Sequence, residues 1–98
     1  MNGMTLKEFQ KTIIDYDEIE FSYREVNYNF QKENSNGGKI KISIWQSGKI
    51  PKCCYDVEVE DNPKEFENIS KNLIHEKILF DGKSIVEGEA EISVEFFT

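Results

Sequence analysis

The chain is short of basic charge, of soft metal ligands and of long apolar runs, and each shortage removes a class of function. Arg24 is the single arginine, and with eleven lysines it stands against 19 Asp and Glu, for a formal net charge of −7. Nucleic-acid binders are built around a basic patch that neutralises phosphates, so direct DNA or RNA binding is not expected. His75 is the only histidine, and Cys53 and Cys54 are the only cysteines. Neighbouring strand residues point to opposite faces, so two adjacent thiols and one imidazole do not make a tetrahedral zinc site or a thiol nucleophile with its base. The longest unbroken aliphatic or aromatic run is Ile78-Leu79-Phe80. That is far short of the roughly 20 residues that span a bilayer, and of a signal-peptide core. A cytoplasmic protein with no membrane partner is the expectation.

Leucine and alanine are also scarce, four residues together, whereas Ile and Val number seventeen and twelve residues are aromatic. β-Branched and aromatic side chains suit a pleated, half-buried surface, so the chain is strand-weighted. Its 98 residues have room for one domain, residues 1–98.

Thr5-Leu6-Lys7-Glu8 has the pattern of a capping box, in which the Thr5 hydroxyl accepts from the Glu8 amide and Glu8 reaches back. Leu6, Phe9 and Ile13 then recur at helical spacing, which predicts an amphipathic helix over about 5–15. From Asp17 the period changes to 2. Ile19, Phe21 and Tyr23 alternate with polar residues, and so do Val26, Tyr28 and Phe30. A turn centred on Arg24-Glu25 sets Tyr23 against Val26, Phe21 against Tyr28 and Ile19 against Phe30, all on one face. Asn34-Ser35-Asn36-Gly37-Gly38 supplies the next turn, followed by Ile40, Ile42 and Ile44. After the Ser47–Lys52 loop, Cys53, Tyr55, Val57 and Val59 are expected inward, with Cys54, Asp56, Glu58 and Glu60 outward. A symmetric loop pairs Ile42 with Val57 and Ile44 with Tyr55, and also Lys41 with Glu58 and Lys39 with Glu60. Such opposite-charge pairs contribute about 0.2–1 kcal/mol each. The apolar and charge patterns support the same register.

Asn62-Pro63-Lys64-Glu65 reads as N-cap, N1 proline and N3 glutamate, opening a second helix over about 63–75 with Phe66, Ile69 and Leu73 inward. Ile78-Leu79-Phe80 with Asp81-Gly82 predicts a short strand and tight turn. Val86, Gly88, Ala90, Ile92, Val94 and Phe96 alternate with Glu87, Glu89, Glu91, Ser93 and Glu95, which predicts a final strand, firmest from about residue 89. A competing pattern starts a helical turn at Ser84 with Glu87 as its box partner, but Gly88 is a poor helix residue. The predicted fold is α+β: a two-layer structure in α-β-β-β-β-α-β order, a mainly antiparallel sheet of about five strands with two helices on one face. The last strand is expected beside the first, antiparallel.

No motif of catalysis or cofactor binding is complete. Asp81-Gly82-Lys83-Ser84 ends like a phosphate loop, but Lys77 stands where that loop needs glycine. Asn68-Ile69-Ser70 matches a glycosylation sequon but falls on the second helix. The expectation is a non-enzyme with no cofactor and no metal. Trp45 is sent by parity to the outer sheet face, where a large aromatic with a polar tip suits an interface anchor. Cys54 accompanies it, and Glu58, Glu60, Glu89 and Glu91 fall in acidic rows on the outward positions. These six residues make the candidate interface. The leading expectation is an interaction module of regulator, inhibitor or immunity type, binding a protein partner or a second copy of itself as a homodimer. Two alternatives are an acidic mimic of DNA that binds a basic nucleic-acid enzyme, and a small-ligand binder using the aromatic interior of Phe21, Tyr23, Tyr28, Phe30 and Tyr55.

Overall fold

The computed structural model describes residues 1–98. Its elements are α1 (Leu6–Asp15), β1 (Glu18–Tyr23), β2 (Val26–Asn34), β3 (Lys39–Gln46), β4 (Lys52–Glu60), α2 (Pro63–Leu73), α3 (Ile85–Gly88) and β5 (Ile92–Phe97). The strands make one antiparallel sheet in the order β4-β3-β2-β1-β5. The fold is thus the predicted α+β arrangement, with a third, one-turn helix added and the last strand beside the first.

Both main helices start where their caps say. The Thr5 hydroxyl accepts from Glu8 N at 3.1 Å while Glu8 accepts from Thr5 N at 3.0 Å. Asn62 Oδ1 accepts from Glu65 N at 3.0 Å, with Pro63 at N1. The helices pack on one side of the sheet, where Phe9 of α1 meets Phe21 edge-on at 5.7 Å. Ser70 of α2 is buried and donates to Gln10 O of α1 at 2.9 Å, which ties the two helices together and places the sequon's hydroxyl inside the fold. Between the layers the rings stack on one another: Phe21 on Tyr28 at 5.4 Å and Tyr23 on Phe80 at 4.1 Å, with the Tyr28 hydroxyl donating to Leu79 O at 3.3 Å. Lys32 closes the end of this layer. Its ammonium lies over the Phe66 ring, 4.4 Å from the centroid, and donates to Ile14 O at 2.7 Å.

The β1–β2 register is the one that parity gives, Tyr23 opposite Val26, Phe21 opposite Tyr28 and Ile19 opposite Phe30. Arg24 and Glu25 make the turn with φ of 47° and 67°, the primed geometry that matches strand twist but that non-glycine residues enter at a cost. The β3–β4 register also follows the pattern, from Lys39 opposite Glu60 to Ile44 opposite Tyr55.

Three expectations are corrected. First, a bulge between Ile44 and Trp45 sets Trp45 opposite Cys53. The extra residue reverses parity beyond it, so Cys53 is exposed on the outer face beside Trp45, and Cys54 packs against the core. Second, the segment expected as the start of the last strand is helical. Ser84 accepts from Glu87 N at 3.2 Å and Glu87 accepts from Ser84 N at 3.1 Å, a second capping box that opens α3, and a 3₁₀ turn over Glu89–Glu91 follows. β5 therefore begins at Ile92, and Glu89 and Glu91 do not belong to an outward strand row. A further bulge at Glu95 then turns Phe96 to the outer side opposite Glu20, half-exposed, and Phe97 toward Ile19. Third, Asp81 and Gly82 do form a tight turn, but only the single bridge between Phe80 and Lys83 closes it, and Ile78 is exposed rather than in a strand. No helix is long and apolar enough to cross a membrane.

Candidate interaction surface

With the helices on one side, the outer face of the sheet carries the side chains that the alternation sends there. Across the strands, Trp45 of β3 lies opposite Asn29 of β2, which lies opposite Glu20 of β1, which lies opposite Phe96 of β5. The next row runs from Asp56 through Ser43 and Gln31 to Glu18. A third sets Glu58 beside Lys41 and Lys41 beside Glu33. Trp45 is half-buried. Ser43, the next outward residue of the same strand, is only 2% exposed under its longer neighbours.

Two clefts share this face. One, of roughly 490 Å³, is lined by Trp45, Asn29, Gln31, Gln46, Ser47 and Pro51 among others. The other, of roughly 300 Å³, runs past Asn29 and Ser47 toward Asn27, Glu20 and Glu95. Asn29 sits between them. Its Nδ2 donates to Glu18 Oε1 at 3.2 Å, but its Oδ1 is buried without a hydrogen-bond donor. An unsatisfied buried acceptor costs about 1–3 kcal/mol, and Asn29 Oδ1 is the one buried side-chain polar atom without a partner.

The acids of the face differ in how they are used. Glu18 holds Asn29, and Glu95 accepts from the Ser22 hydroxyl at 3.1 Å. Lys41 faces Glu58 in register but pairs diagonally with Asp56 at 3.6 Å. Glu58, Glu60 and Glu20 are exposed and make no ion pair. Of the other candidate residues, Glu89 is half-buried on the 3₁₀ turn. Glu91 grips Arg24 through two hydrogen bonds, which hold its carboxyl below the usual carboxylate range and the guanidinium above its own. That pair fastens the β1–β2 turn to the segment before β5. The structure therefore brings Trp45, Glu58 and Glu60 together on one face and separates Glu89, Glu91 and Cys54 from them. Burial pushes the Cys54 thiol up, so it stays protonated at neutral pH. Asn29, Phe96 and Cys53 join the face, and the sequence signal for the last two is hidden by bulges.

No group of three or more His, Cys, Asp and Glu side chains is placed to hold a metal ion. No family model, curated protein or solved structure matches the chain.

Proposed function

We propose that this chain is a non-enzymatic interaction module, of regulator, inhibitor or immunity type, that binds another protein through the outer face of its sheet. The observation that carries the reading is Trp45: the only tryptophan lies half-exposed on a helix-free face, flanked by Asn29 and Cys53, and the same face carries Glu20, Glu58 and Glu60 without ion pairs. Tryptophan combines a large apolar body with one donor, and it dominates interface energetics when a partner desolvates it. The unpaired acids and the net charge of −7 favour a partner with a basic surface, drawn in by long-range attraction.

Affinity capture at low salt tests the reading, using the wild-type chain and Trp45→Ala side by side against extract of the cells that express it. A partner that is retained by the wild type and released by the variant, and that binds with the same contrast when purified, supports the proposal. Partners retained equally by both remove Trp45 and the outer face from the account. The salt response separates the mode of binding. Charge-driven docking weakens steeply between about 50 and 200 mM salt, and a flat response leaves only the apolar contact of Trp45.

A further inference from the structure

The two edges of the sheet are finished differently. At the β5 edge, Asn2 N donates to Ile92 O at 2.8 Å and Asn2 O accepts from Val94 N at 2.9 Å, so the N-terminal residues close it. Gly3, at φ 94°, makes that approach feasible, because a Cβ there would sit 2.8 Å from Val94 O. At the other edge β4 is the last strand, and apart from Asn62 N donating to Glu60 O and the thiols of Cys53 and Cys54 donating to Tyr55 O and Lys52 O, its backbone is joined only to β3. An uncovered strand of this length is a ready template for another extended chain. The bulge at Cys54 interrupts regular pairing, which leaves Tyr55–Glu60 as the usable edge.

The side chains of that edge are incomplete on both faces. Tyr55, Val57 and Val59 face the helix layer but are only half-buried, whereas their partners Ile40, Ile42 and Ile44 are buried. Asp56, Glu58 and Glu60 are exposed on the outer face; Lys41 pairs with Asp56, and neither Glu58 nor Glu60 forms an ion pair with the lysine opposite it, Lys41 or Lys39. On its inner edge β4 already shows what it accepts. Lys39, Ile40, Lys41 and Ile42 lie opposite Glu60, Val59, Glu58 and Val57. The outer edge presents the same side chains in the same alternation.

We propose that Tyr55–Glu60 takes an extended segment of the partner protein as a sixth, antiparallel strand, in which Lys or Arg alternates with β-branched or aromatic residues. This rests on the reading of the chain as an interaction module and states what part of the partner it holds. Main-chain hydrogen bonds bring the segment in, the basic residues meet Glu58 and Glu60, and the apolar ones extend the strip of Tyr55, Val57 and Val59. A second copy of the chain is a poor occupant. Every outward side chain over Tyr55–Glu60 is an acid, so a β4–β4 pair sets carboxylates against one another.

The test is a titration of the isotope-labelled full chain with a capped peptide of the sequence Lys39–Ile44, followed by nuclear magnetic resonance. The expected result is amide shifts and slowed exchange confined to Tyr55–Glu60, with affinity that falls as salt rises. Glu58→Lys combined with Glu60→Lys weakens this peptide at least tenfold and binds its counterpart with glutamate in place of both lysines, which shows that the variant is still folded. The edge proposal is overturned if Tyr55–Glu60 does not respond, if the lysine and glutamate peptides bind the wild type alike, or if the chain pairs with itself through this edge. Shifts centred on Trp45 and Asn29 without β4 also overturn it, while leaving the outer-face reading intact. That reading falls separately, on the capture experiment with Trp45→Ala.

Discussion

Replacing Gly88 by alanine reverses an ordinary expectation. In an exposed helix the change stabilises by about 0.5–1 kcal/mol, because glycine loses the most backbone freedom on folding. Gly88 ends α3 at φ −96°, a conformation open to any residue, and its N–H donates to Ser84 O at 2.9 Å, so propensity alone favours alanine. Packing opposes it. A Cβ at Gly88 would lie 2.6 Å from Tyr23 Cε1 and 3.1 Å from Phe80 Cδ2. Those two rings are stacked on each other at 4.1 Å, and they are 5% and 2% exposed, so neither has a free direction in which to move. Forcing a methyl into such a site costs about 1–3 kcal/mol, which outweighs the propensity gain. Net destabilisation of about 1 kcal/mol, within a span of roughly 0–2.5, follows from the difference of these two effects, the central value being equivalent to a lowering of Tm by roughly 4–8 °C in a domain of this size. Urea denaturation of the wild type, Gly88→Ala, Tyr23→Ala and the double variant measures it. In the Tyr23→Ala background the methyl enters the space left by the ring, so the cost of Gly88→Ala falls to near zero or changes sign. A wild-type background in which Gly88→Ala stabilises, or a cost unchanged by Tyr23→Ala, would refute the packing account.

Other perturbations probe separate parts of the fold. Glu25→Gly relieves a non-glycine residue held at φ 67° and stabilises by about 1 kcal/mol in urea denaturation; an unchanged or lower midpoint contradicts this. Tyr28 and Tyr55 are pushed up by burial. Above about pH 10 the unfolded phenols lose protons that the folded ones keep, so stability falls as pH rises there. Lys32 is held below the usual lysine range by burial and acts in the opposite sense, so the titration is made on Lys32→Met. In that variant the ultraviolet phenolate signal removed by Tyr28→Phe or by Tyr55→Phe is one that appears late, together with unfolding; a signal that each removes before unfolding would contradict it.

Where one face of a strand is buried, the sequence carries the fold plainly. Along β1–β4 the period of two and the turn centres specify the register residue by residue, because a slip of one position would send every apolar side chain to the wrong face. The failures have one cause at each place. A bulge adds a residue without changing the alternation of types, so Cys53-Cys54 reads equally well in either orientation, and only the contact with Ile44 and Trp45 decides which thiol faces out. The same holds for Glu95 and Phe96. At α3 the capping box of Ser84 and Glu87 is present in the sequence, but Gly88 reads as a helix breaker when it is in fact the space for Tyr23 and Phe80. The candidate surface inherits this pattern. Trp45, Glu58 and Glu60 lie before or beyond the disturbances and are placed by parity, whereas Glu89 and Glu91 depend on a strand that starts later than the alternation suggests. Asn29 is conspicuous only once its unsatisfied oxygen is seen in three dimensions.

Binding through the outer face of the sheet is tested most directly by calorimetric titration of the purified, captured partner into three proteins: the wild type, Trp45→Ala, and His75→Ala, which alters an exposed residue after α2. An anchor residue contributes 2 kcal/mol or more, so Trp45→Ala is expected to weaken binding by about thirtyfold or more, with His75→Ala unchanged. Equal affinity for the wild type and Trp45→Ala, or a loss confined to His75→Ala, would place the interface elsewhere and contradict the account.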